Sequence, residues 1–197
     1  MSTVERDTRH DIIDVAERFF RQIGYQKTTV ADIAKSLRMS PANVYRFFDS
    51  KKAINEAVVE QLTGEIEAMI AAIADAPKLA APDRLAGIIT ALHDDCRRRF
   101  EAHPRVHEMV EAAMSESWGV CQAHVDRIGA VLARVVADGM REGAFTVADP
   151  KSAAACLQAG ITRYCHPMLV GRQPNTIDPP LPVMIAFLLG ALRPAAA

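Results

Sequence analysis

The sequence predicts an all-α fold. Along most of its 197 residues, apolar side chains recur at intervals of three and four, which places them on one buried face of a helix. No segment alternates apolar and polar residues for long enough to predict a strand. Prolines and glycines interrupt the apolar pattern and mark where helices begin and end. Together these three observations predict nine consecutive helices.

The first three predicted helices are close together in the sequence. The first ends at Gly24. Thr29 can cap the second, with Asp32 three residues later in the arrangement of a capping box. Ser40 can cap the third, and Pro41 suits its first position because an N–H there would have no helical acceptor. A tight turn is therefore predicted between the second and third helices.

The other six predicted helices are mostly longer. The fourth begins after Ser50 and reaches the break between Pro77 and Pro82. The remaining five are predicted over residues 83–102, 104–115, 117–141, 150–169 and 180–192. The chain is thus expected to form a small domain over residues 1–57 and a larger helical domain over residues 58–197.

Composition excludes several classes of protein. Half of the residues are hydrophobic and 24% are charged, which is typical of a water-soluble globular protein and not of a disordered chain. No run of about 18 uncharged apolar residues predicts a transmembrane helix, and the polar N-terminal segment does not resemble a secretory signal. The four cysteines lack CxxC spacing, which argues against a disulfide framework or a zinc knuckle. We therefore expect a cytoplasmic protein with no membrane partner.

The net charge of −1 hides an uneven distribution of charge. Residues 27–52 contain six basic and two acidic side chains, a net charge of +4, so the rest of the chain carries −5. A short basic segment on an acidic body is typical of a phosphate-binding surface joined to a separate regulatory domain. Taken alone, a basic run of this size is more often only a solvated surface.

The predicted arrangement is that of a helix-turn-helix: a first helix is followed by two short helices that a tight turn connects. In such a motif the last helix enters the major groove of double-stranded DNA. Asn43 can bond adenine edges, Arg46 can bond guanine or phosphate, and Tyr45 can reach a phosphate. Ala42 can touch a thymine methyl group. Further phosphate contacts are expected where the second and fourth helices begin, from Lys27, Thr28, Thr29 and Lys51. The alternative is a trihelical fragment that serves packing alone.

The chain contains TTVADIAKSL and then MSPANVYRFFDSK, with the motifs T-x-x-x-I-A and S-x-x-x-x-Y-x-x-F in register. With these motifs, the segment from about Arg9 to Ala57 resembles the N-terminal signature of the tetracycline-repressor (TetR) family. The resemblance implies that Lys51 contacts backbone phosphate and that an operator-facing set is formed by Ser40, Pro41, Ala42, Asn43, Tyr45 and Arg46. The family usually has glycine at the position of Arg38, in a turn that favours a left-handed backbone. If Arg38 adopts that conformation, the strain is on the order of 1 kcal/mol.

By the same resemblance, the later helices enclose an inducer pocket and the last two form a homodimer interface. Small residues that let helices approach closely are present there, namely Ala153, Ala154, Ala155, Ala159, Gly160, Ala186, Gly190 and Ala191. The alternative is an ordinary intrachain core. A palindromic operator requires a dimer, because each reading helix contacts one half-site and the two must lie about 34 to 36 Å apart.

Polar side chains in the later helices indicate a ligand or metal site. His103, His107 and Glu111 recur every four residues, and further histidines follow at His124 and His166. Imidazoles with a carboxylate suit a divalent ion such as zinc or nickel, and the candidate ligands are His107, Glu111, His124 and His166. Without metal, the same residues can orient an organic molecule in an apolar pocket lined by Phe100, Met109, Met114 and Trp118. Each of these side chains also has an ordinary explanation in the core or on the surface.

The leading hypothesis is a ligand-responsive repressor that leaves its operator when a small-molecule effector binds. An alternative is a metal-responsive regulator, which would have the same fold and a metal ion as its effector. An alternative from a different class is an all-helical metal-dependent enzyme, which would explain the histidines but gives the DNA-reading surface no purpose. No catalytic motif in the sequence supports an enzyme.

Overall fold

The computed structural model describes the backbone of residues 3–102, 105–116, 118–170 and 178–193, and their side chains except at 3–5, 100, 102, 106, 107 and 118. Within these residues the chain is helical and has no strand, which confirms the all-α prediction. The helices are α1 (Thr3–Gln22), α2 (Val30–Ser36), α3 (Pro41–Tyr45), α4 (Lys51–Ala74), α5 (Ala81–Ala102), α6 (Val106–Glu116), α7 (Trp118–Arg141), α8 (Pro150–Cys165), α9 (Pro167–Val170) and α10 (Leu181–Leu192). In the described ranges, none of these helices is long and apolar enough to cross a membrane.

The predicted starts of α2 and α3 are confirmed. Thr29 Oγ1 accepts a hydrogen bond from the Asp32 N–H (3.2 Å), and Asp32 Oδ2 accepts one from the Thr29 N–H (2.9 Å). Hydrogen bonds from the Thr29 hydroxyl and N–H lower the pKa of Asp32 below its ordinary value. Ser40 Oγ accepts from the Asn43 N–H (3.2 Å), and Pro41 occupies the first turn of α3. Both short helices therefore begin where their capping residues place them.

The turn between α2 and α3 contains a left-handed residue, as anticipated. Arg38 has φ +54°. Its N–H donates to the Lys35 carbonyl (3.1 Å), and the Met39 N–H donates to the Ala34 carbonyl (3.0 Å). These are the two hydrogen bonds of a Schellman motif, which ends a helix with a left-handed residue. The chain thus keeps the sharp turn at a strain on the order of 1 kcal/mol.

The prediction of one helix over residues 150–169 is wrong. α8 ends at Cys165, and the four-residue α9 follows it. His166 has an extended backbone (φ −86°, ψ 125°), because the ring of Pro167 clashes with a helical conformation of the residue before it. The apolar spacing continues across this break, so periodicity alone does not reveal it.

The residues group into two compact units. The first comprises residues 1–64 and 99–122, and the second comprises residues 65–98 and 123–197. By packing, α6 therefore belongs with α1, α2, α3 and the first half of α4. The division at residue 57 into a DNA-binding and an effector domain is a functional one, and it stays a prediction.

The first unit has a core to which five helices contribute. Its fully buried apolar side chains include Ile12, Ala16, Phe20, Ile33, Ala34, Val44, Ile54, Val58, Met109 and Ala113. Asn55 Nδ2 lies in the same core and donates to the Met109 carbonyl on α6 (3.3 Å). α6 thus packs directly on the helices that position α3.

The second unit has its own core between α4, α5, α7, α8 and α10. Its fully buried side chains include Ile70, Leu85, Ile88, Ile89, Leu132, Val135, Val136 and Leu157. Gly160 on α8 lies so close to α10 that a Cβ there would be 2.9 Å from Leu188 Cδ2. Gly160, Ala153 and Ala154 therefore serve packing inside the chain, whereas the small residues left exposed are Ala155, Ala159, Ala186, Gly190 and Ala191.

A buried ion-pair network joins the ends of α4, α5 and α7. The Arg84 guanidinium is buried and donates from Nη1 to the Ala74 carbonyl (2.9 Å) and to Asp138 Oδ2 (2.7 Å). Its Nη2 donates to Glu142 Oε1 (2.6 Å), and Glu142 Oε2 accepts from the Ala81 N–H (2.9 Å). The hydrogen bond from Arg84 is the main cause that lowers the pKa of Asp138 below its ordinary value.

We expect Arg84→Met to lower the free energy of unfolding by about 2 to 4 kcal/mol at pH 7, because it leaves the partly buried carboxylate of Asp138 without its partner. The pKa of Asp138 is lower in the folded state than in the unfolded state. Its contribution to stability is therefore present above about pH 4 and is lost as the pH falls through the folded-state pKa. The variant should accordingly show a weaker loss of stability below about pH 4 than the parent protein.

Urea denaturation at pH 7 and at successively lower pH measures both effects. Arg134→Met is the matched control, since it removes an ion pair with Asp75 in which both side chains are exposed. Its expected effect is below about 1 kcal/mol. Equal losses in the two variants would contradict the role assigned to Arg84.

Candidate nucleic-acid interface

α3 presents one side of its surface to solvent. Val44 on the opposite side is fully buried in the core of the first unit. Pro41, Ala42 and Arg46 are exposed, and Tyr45 is 50% exposed although it is a large aromatic residue. A half-exposed tyrosine beside an exposed arginine adds little to the core, and both side chains suit contact with phosphates or base edges.

Asn43 and Arg46 are neighbours on α3. Arg46 Nη1 lies 3.5 Å from Asn43 Oδ1, which is a long and weak hydrogen bond. Asn43 is partly buried, and its Nδ2 lies 3.9 Å from Met39 Sδ. The Arg46 head is thus available for guanine or phosphate, while the Asn43 amide already has neighbours within the protein. Their contacts with DNA stay predictions.

The three residues predicted to bind phosphate at the start of α2 differ in their exposure to solvent. Lys27 and Thr29 are exposed. Thr28 is fully buried, and its Oγ1 donates to the Gly24 carbonyl (2.8 Å). The expected phosphate contact of Thr28 is therefore corrected, because its hydroxyl is satisfied inside the protein. The sequence does not distinguish the two threonines, since a threonine at either position could cap a helix or bind a phosphate.

Lys51 is the first residue of α4, and its ammonium group is directed toward the protein. Nζ donates to the carbonyls of Tyr25 (2.8 Å), Gln26 (3.4 Å) and Thr28 (3.1 Å). It also lies 4.3 Å from the centroid of the Tyr25 ring. The contacts to Tyr25 and Thr28 are ordinary hydrogen bonds and the one to Gln26 is long, so at least two of the three N–H donors of the ammonium are used inside the protein. The phosphate contact expected of Lys51 is not supported by this geometry.

Tyr25 and Glu116, which the sequence analysis did not single out, connect this region to α6. Tyr25 is 3% exposed, and its hydroxyl donates to Glu116 Oε2 at the end of α6 (3.1 Å). Desolvation by burial, followed by the hydrogen bond to Glu116, raises the pKa of Tyr25 to about 12. The hydroxyl therefore stays protonated at neutral pH. The two residues are 91 positions apart, so no short-range pattern could have indicated the contact.

Arg9 on α1 is another cation that the analysis of residues 27–52 left out. Its guanidinium lies over the Phe48 ring, 4.7 Å from the ring centroid. Phe48 follows α3 by three residues, so this contact brings a positive charge from α1 to the segment just after α3.

The residues predicted to bind a ligand or metal are divided between the two units. Met109 is buried in the core of the first unit, and its role in lining a pocket stays a prediction. In the same unit Glu111 is exposed and Met114 is partly buried. The predictions for Phe100, His107 and Trp118 fall on side chains outside those that the structure describes.

His124 and His166 belong to the second unit and have separate partners. His124 Nδ1 lies 2.7 Å from Glu67 Oε1, and Arg127 Nε donates to Glu67 Oε2 (2.6 Å). His166 Nδ1 accepts from the Met168 N–H (3.2 Å). Burial lowers the pKa of His166, which favours the neutral ring that accepts this bond. His124 is therefore engaged with a carboxylate, and His166 stabilises the break between α8 and α9.

The structure describes the side chains of three of the four residues predicted to bind zinc or nickel. Among the described residues, no group of three or more His, Cys, Asp or Glu side chains is arranged to hold a metal ion. His107 lies outside the described side chains, so the zinc or nickel site proposed at His107, Glu111, His124 and His166 stays a prediction. Spacing along a helix places residues on one face, but it does not bring different helices together.

A groove of about 430 Å³ lies between α5 and α10 in the second unit. Its volume falls within the range of small-molecule sites. The lining is apolar except for a threonine and an arginine, and consists of Thr90, Leu181, Pro182, Ile185, Ala186, Leu189 and Arg193. The sequence analysis missed this groove because it looked for clusters of polar residues.

Two family descriptions match separate parts of the chain. "Bacterial regulatory proteins, tetR family" matches residues 12–58, and "Tetracyclin repressor-like, C-terminal domain" matches residues 81–176. The chain belongs to the TetR family. The first match confirms the resemblance seen in the segment from about Arg9 to Ala57. The second match extends the family membership to residues 81–176, where the sequence contains no such motif. TetR proteins are regulators that bind DNA operators, typically as dimers with small-molecule effectors.

Known proteins similar to this TetR-family chain include one characterised repressor. The biofilm operon icaADBC HTH-type negative transcriptional regulator IcaR of Staphylococcus aureus is 49% identical over 49 residues, which are 25% of this chain and 26% of IcaR. The chain therefore matches about a quarter of the length of the curated relatives.

Two solved structures share the fold over nearly the whole chain. A TetR/AcrR-family transcriptional regulator from Thermobifida fusca has a TM-score of 0.68 and 23% identity, covering 95% of this chain and 100% of its own. A tetR-family regulatory protein from Rhodococcus RHA1 has a TM-score of 0.62 and 25% identity, covering 100% of both chains. The order of helices described above is thus that of the family.

Proposed function

We propose that this TetR-family protein is a homodimeric repressor that binds a palindromic DNA operator through α3 and leaves it when a small organic effector binds. The observation that carries the proposal is the exposed side of α3 with Tyr45 and Arg46. The helix is held at its start by the Ser40 cap and on its opposite side by buried Val44. A short helix that is held in this way and exposes polar side chains to solvent meets the requirement for reading a major groove.

The charge around α2 and α3 supports DNA as the partner. Five basic side chains of residues 27–52 are exposed, namely Lys27, Lys35, Arg38, Arg46 and Lys52. Such a cluster attracts phosphates whatever the base sequence, and it supplies affinity while base contacts supply specificity.

Repression is proposed because IcaR, with which the chain shares a 49-residue match, is named a negative transcriptional regulator. The proposed action consists of binding alone and involves no catalysis. A regulator of this kind acts in the cytoplasm, where it reaches bacterial DNA.

Exposed apolar side chains in the second unit support a homodimer. On α10, Phe187 is 72% exposed and Val183 is 55% exposed. On α8, the exposed side consists largely of small residues, among them Ala155, Cys156 and Ala159. Burial of large apolar side chains against a second copy is favourable, and small residues let two helices approach closely. We therefore propose that α8 and α10 of two copies form an isologous interface.

A small-molecule effector is proposed to bind in the second unit. The groove between α5 and α10 supports this proposal by its volume and its apolar lining. The effector must bind more tightly to the form that does not bind DNA, because a ligand with equal affinity for both forms shifts nothing.

The first test is the selection of genomic fragments by the purified protein. The best fragment is then titrated by fluorescence anisotropy at two salt concentrations, beside a scrambled duplex of the same length. A palindromic fragment bound at least about 1,000-fold more tightly than the scrambled duplex would support the proposal. Equal affinity for the two duplexes would contradict it. Compounds suggested by the genes next to the selected site are then tested for release of the protein.

A further inference from the structure

Lys51 is placed so that it holds the turn that precedes α2. Its Nζ lies 2.8, 3.1 and 3.4 Å from three carbonyl oxygens of residues 25–28, and the longest of these contacts is weak. Because the ammonium donates to three carbonyls of one short turn, it stabilises a conformation that would otherwise bring their dipoles together without compensation. The turn is therefore tied to the first residue of α4.

The ring of Tyr25 also contacts this ammonium and helps to fix its position. Nζ of Lys51 is 4.3 Å from the ring centroid, within the range of a cation–π interaction. The ring itself is buried and packs edge-on against Phe20, with 5.3 Å between centroids and 78° between planes. Its hydroxyl donates to Glu116 at the end of α6. Tyr25 thus links Lys51 to α1 and α6 within the first unit.

The turn held in this way leads directly into α2. Thr28 Oγ1 donates to the Gly24 carbonyl, and Thr29 is the N-cap of α2. α2 in turn packs against α3 and is separated from it only by the Schellman turn at Arg38. A change in the turn at residues 25–28 would therefore move the start of α2, and with it the reading helix.

We propose that Lys51 is a positioning residue that fixes α2 and α3 for DNA reading by holding the turn at residues 25–28, and that it does not bind a phosphate itself. The proposal rests on the proposed DNA-binding function. It assigns the Lys51 ammonium a role different from the one that the sequence resemblance implies, because its donors are used inside the protein.

The two roles differ in their salt dependence. Each phosphate contact contributes about 0.9 to the slope of log K against log salt concentration. Removal of a phosphate-binding lysine lowers that slope by about one unit per monomer, whereas removal of a positioning lysine lowers affinity at an unchanged slope. Lys51→Met keeps most of the apolar stem and removes the charge, and Lys27→Met does the same at an exposed lysine of the same turn.

Operator binding of both variants is titrated at several salt concentrations, with the fragment selected above. We expect Lys51→Met to weaken binding about tenfold at an unchanged slope. Lys27→Met is expected to lower the slope by about one unit per monomer. An unchanged affinity of Lys51→Met, or a slope lowered as much as by Lys27→Met, would overturn the proposal.

Amide hydrogen exchange of the free, full-length protein gives a readout that needs no DNA. In Lys51→Met we expect exchange at Thr28 and Thr29 to rise about tenfold, whereas Lys27→Met should leave it unchanged. Unchanged exchange in Lys51→Met would overturn the proposal. If the parent protein binds no duplex specifically, the proposed function fails, and the exchange rates still decide whether Lys51 holds the turn.

Lys51→Arg keeps the charge and serves as the second variant if Lys51→Met does not fold. An arginine would preserve or strengthen a phosphate contact, but its planar fork does not direct three donors to three carbonyls around one point. We expect faster exchange at Thr28 and weaker operator binding in this variant as well. Parental affinity together with parental exchange would overturn the proposal.

Discussion

Tyr45→Ala is expected to weaken operator binding by at least about 100-fold and to leave the unfolding temperature unchanged. Hydrogen bonds to charged groups contribute about 1.5 to 3 kcal/mol each. A dimer loses the tyrosine contact in both half-sites, so the two losses add to at least about 3 kcal/mol. Because Tyr45 is half exposed and α3 is anchored by Val44, the change should not disturb folding. Anisotropy titration and thermal unfolding measure the two quantities.

Tyr45→Phe separates the hydroxyl from the ring. If the hydroxyl binds phosphate, this variant should lose most of the affinity that Tyr45→Ala loses. If the ring contacts the bases or sugars, Tyr45→Phe should bind almost as well as the parent. Parental affinity in Tyr45→Ala would show that the exposed side of α3 does not read DNA.

Phe187→Asp is expected to convert the dimer into monomers. Burial of one phenylalanine side chain contributes about 1.5 to 3 kcal/mol, and the two-fold axis doubles the contribution. The aspartates add the desolvation of two like charges. The dimer dissociation constant should therefore rise by at least about 100-fold, which sedimentation velocity measures. Operator binding should weaken as well, since the second half-site is no longer held at a high effective concentration.

Leu79→Asp is the matched control for the dimer interface. Leu79 is also a large apolar side chain with substantial exposure, and it belongs to the segment between α4 and α5 and not to α8 or α10. We expect it to leave the dissociation constant unchanged. If Phe187→Asp remained a dimer, or if both variants dissociated alike, the proposed interface would be wrong. Cys156 on the exposed side of α8 offers a further check, because a spin label there should report a short distance between the two copies.

Features of the sequence that act over a few residues predicted the structure best. The caps at Thr29 and Ser40 depend on neighbouring residues and were confirmed, and the left-handed conformation that the sequence left open at Arg38 is present. The break at Pro167 is also a local feature, but the continuous apolar spacing concealed it. The predicted metal site is of the opposite kind, because it requires side chains from several helices to meet at one point.

The sequence by itself determined the all-α fold, the starts of the short helices and the TetR resemblance, because helical periodicity, capping and motif spacing are properties of adjacent residues. The tertiary structure alone decided which candidate residues are available to DNA. It buried Thr28, turned the Lys51 ammonium toward carbonyls 23 to 26 positions away and joined Tyr25 to Glu116 across 91 positions. Such contacts depend on how helices pack, and no local pattern encodes whether a polar group meets solvent or a partner inside the protein.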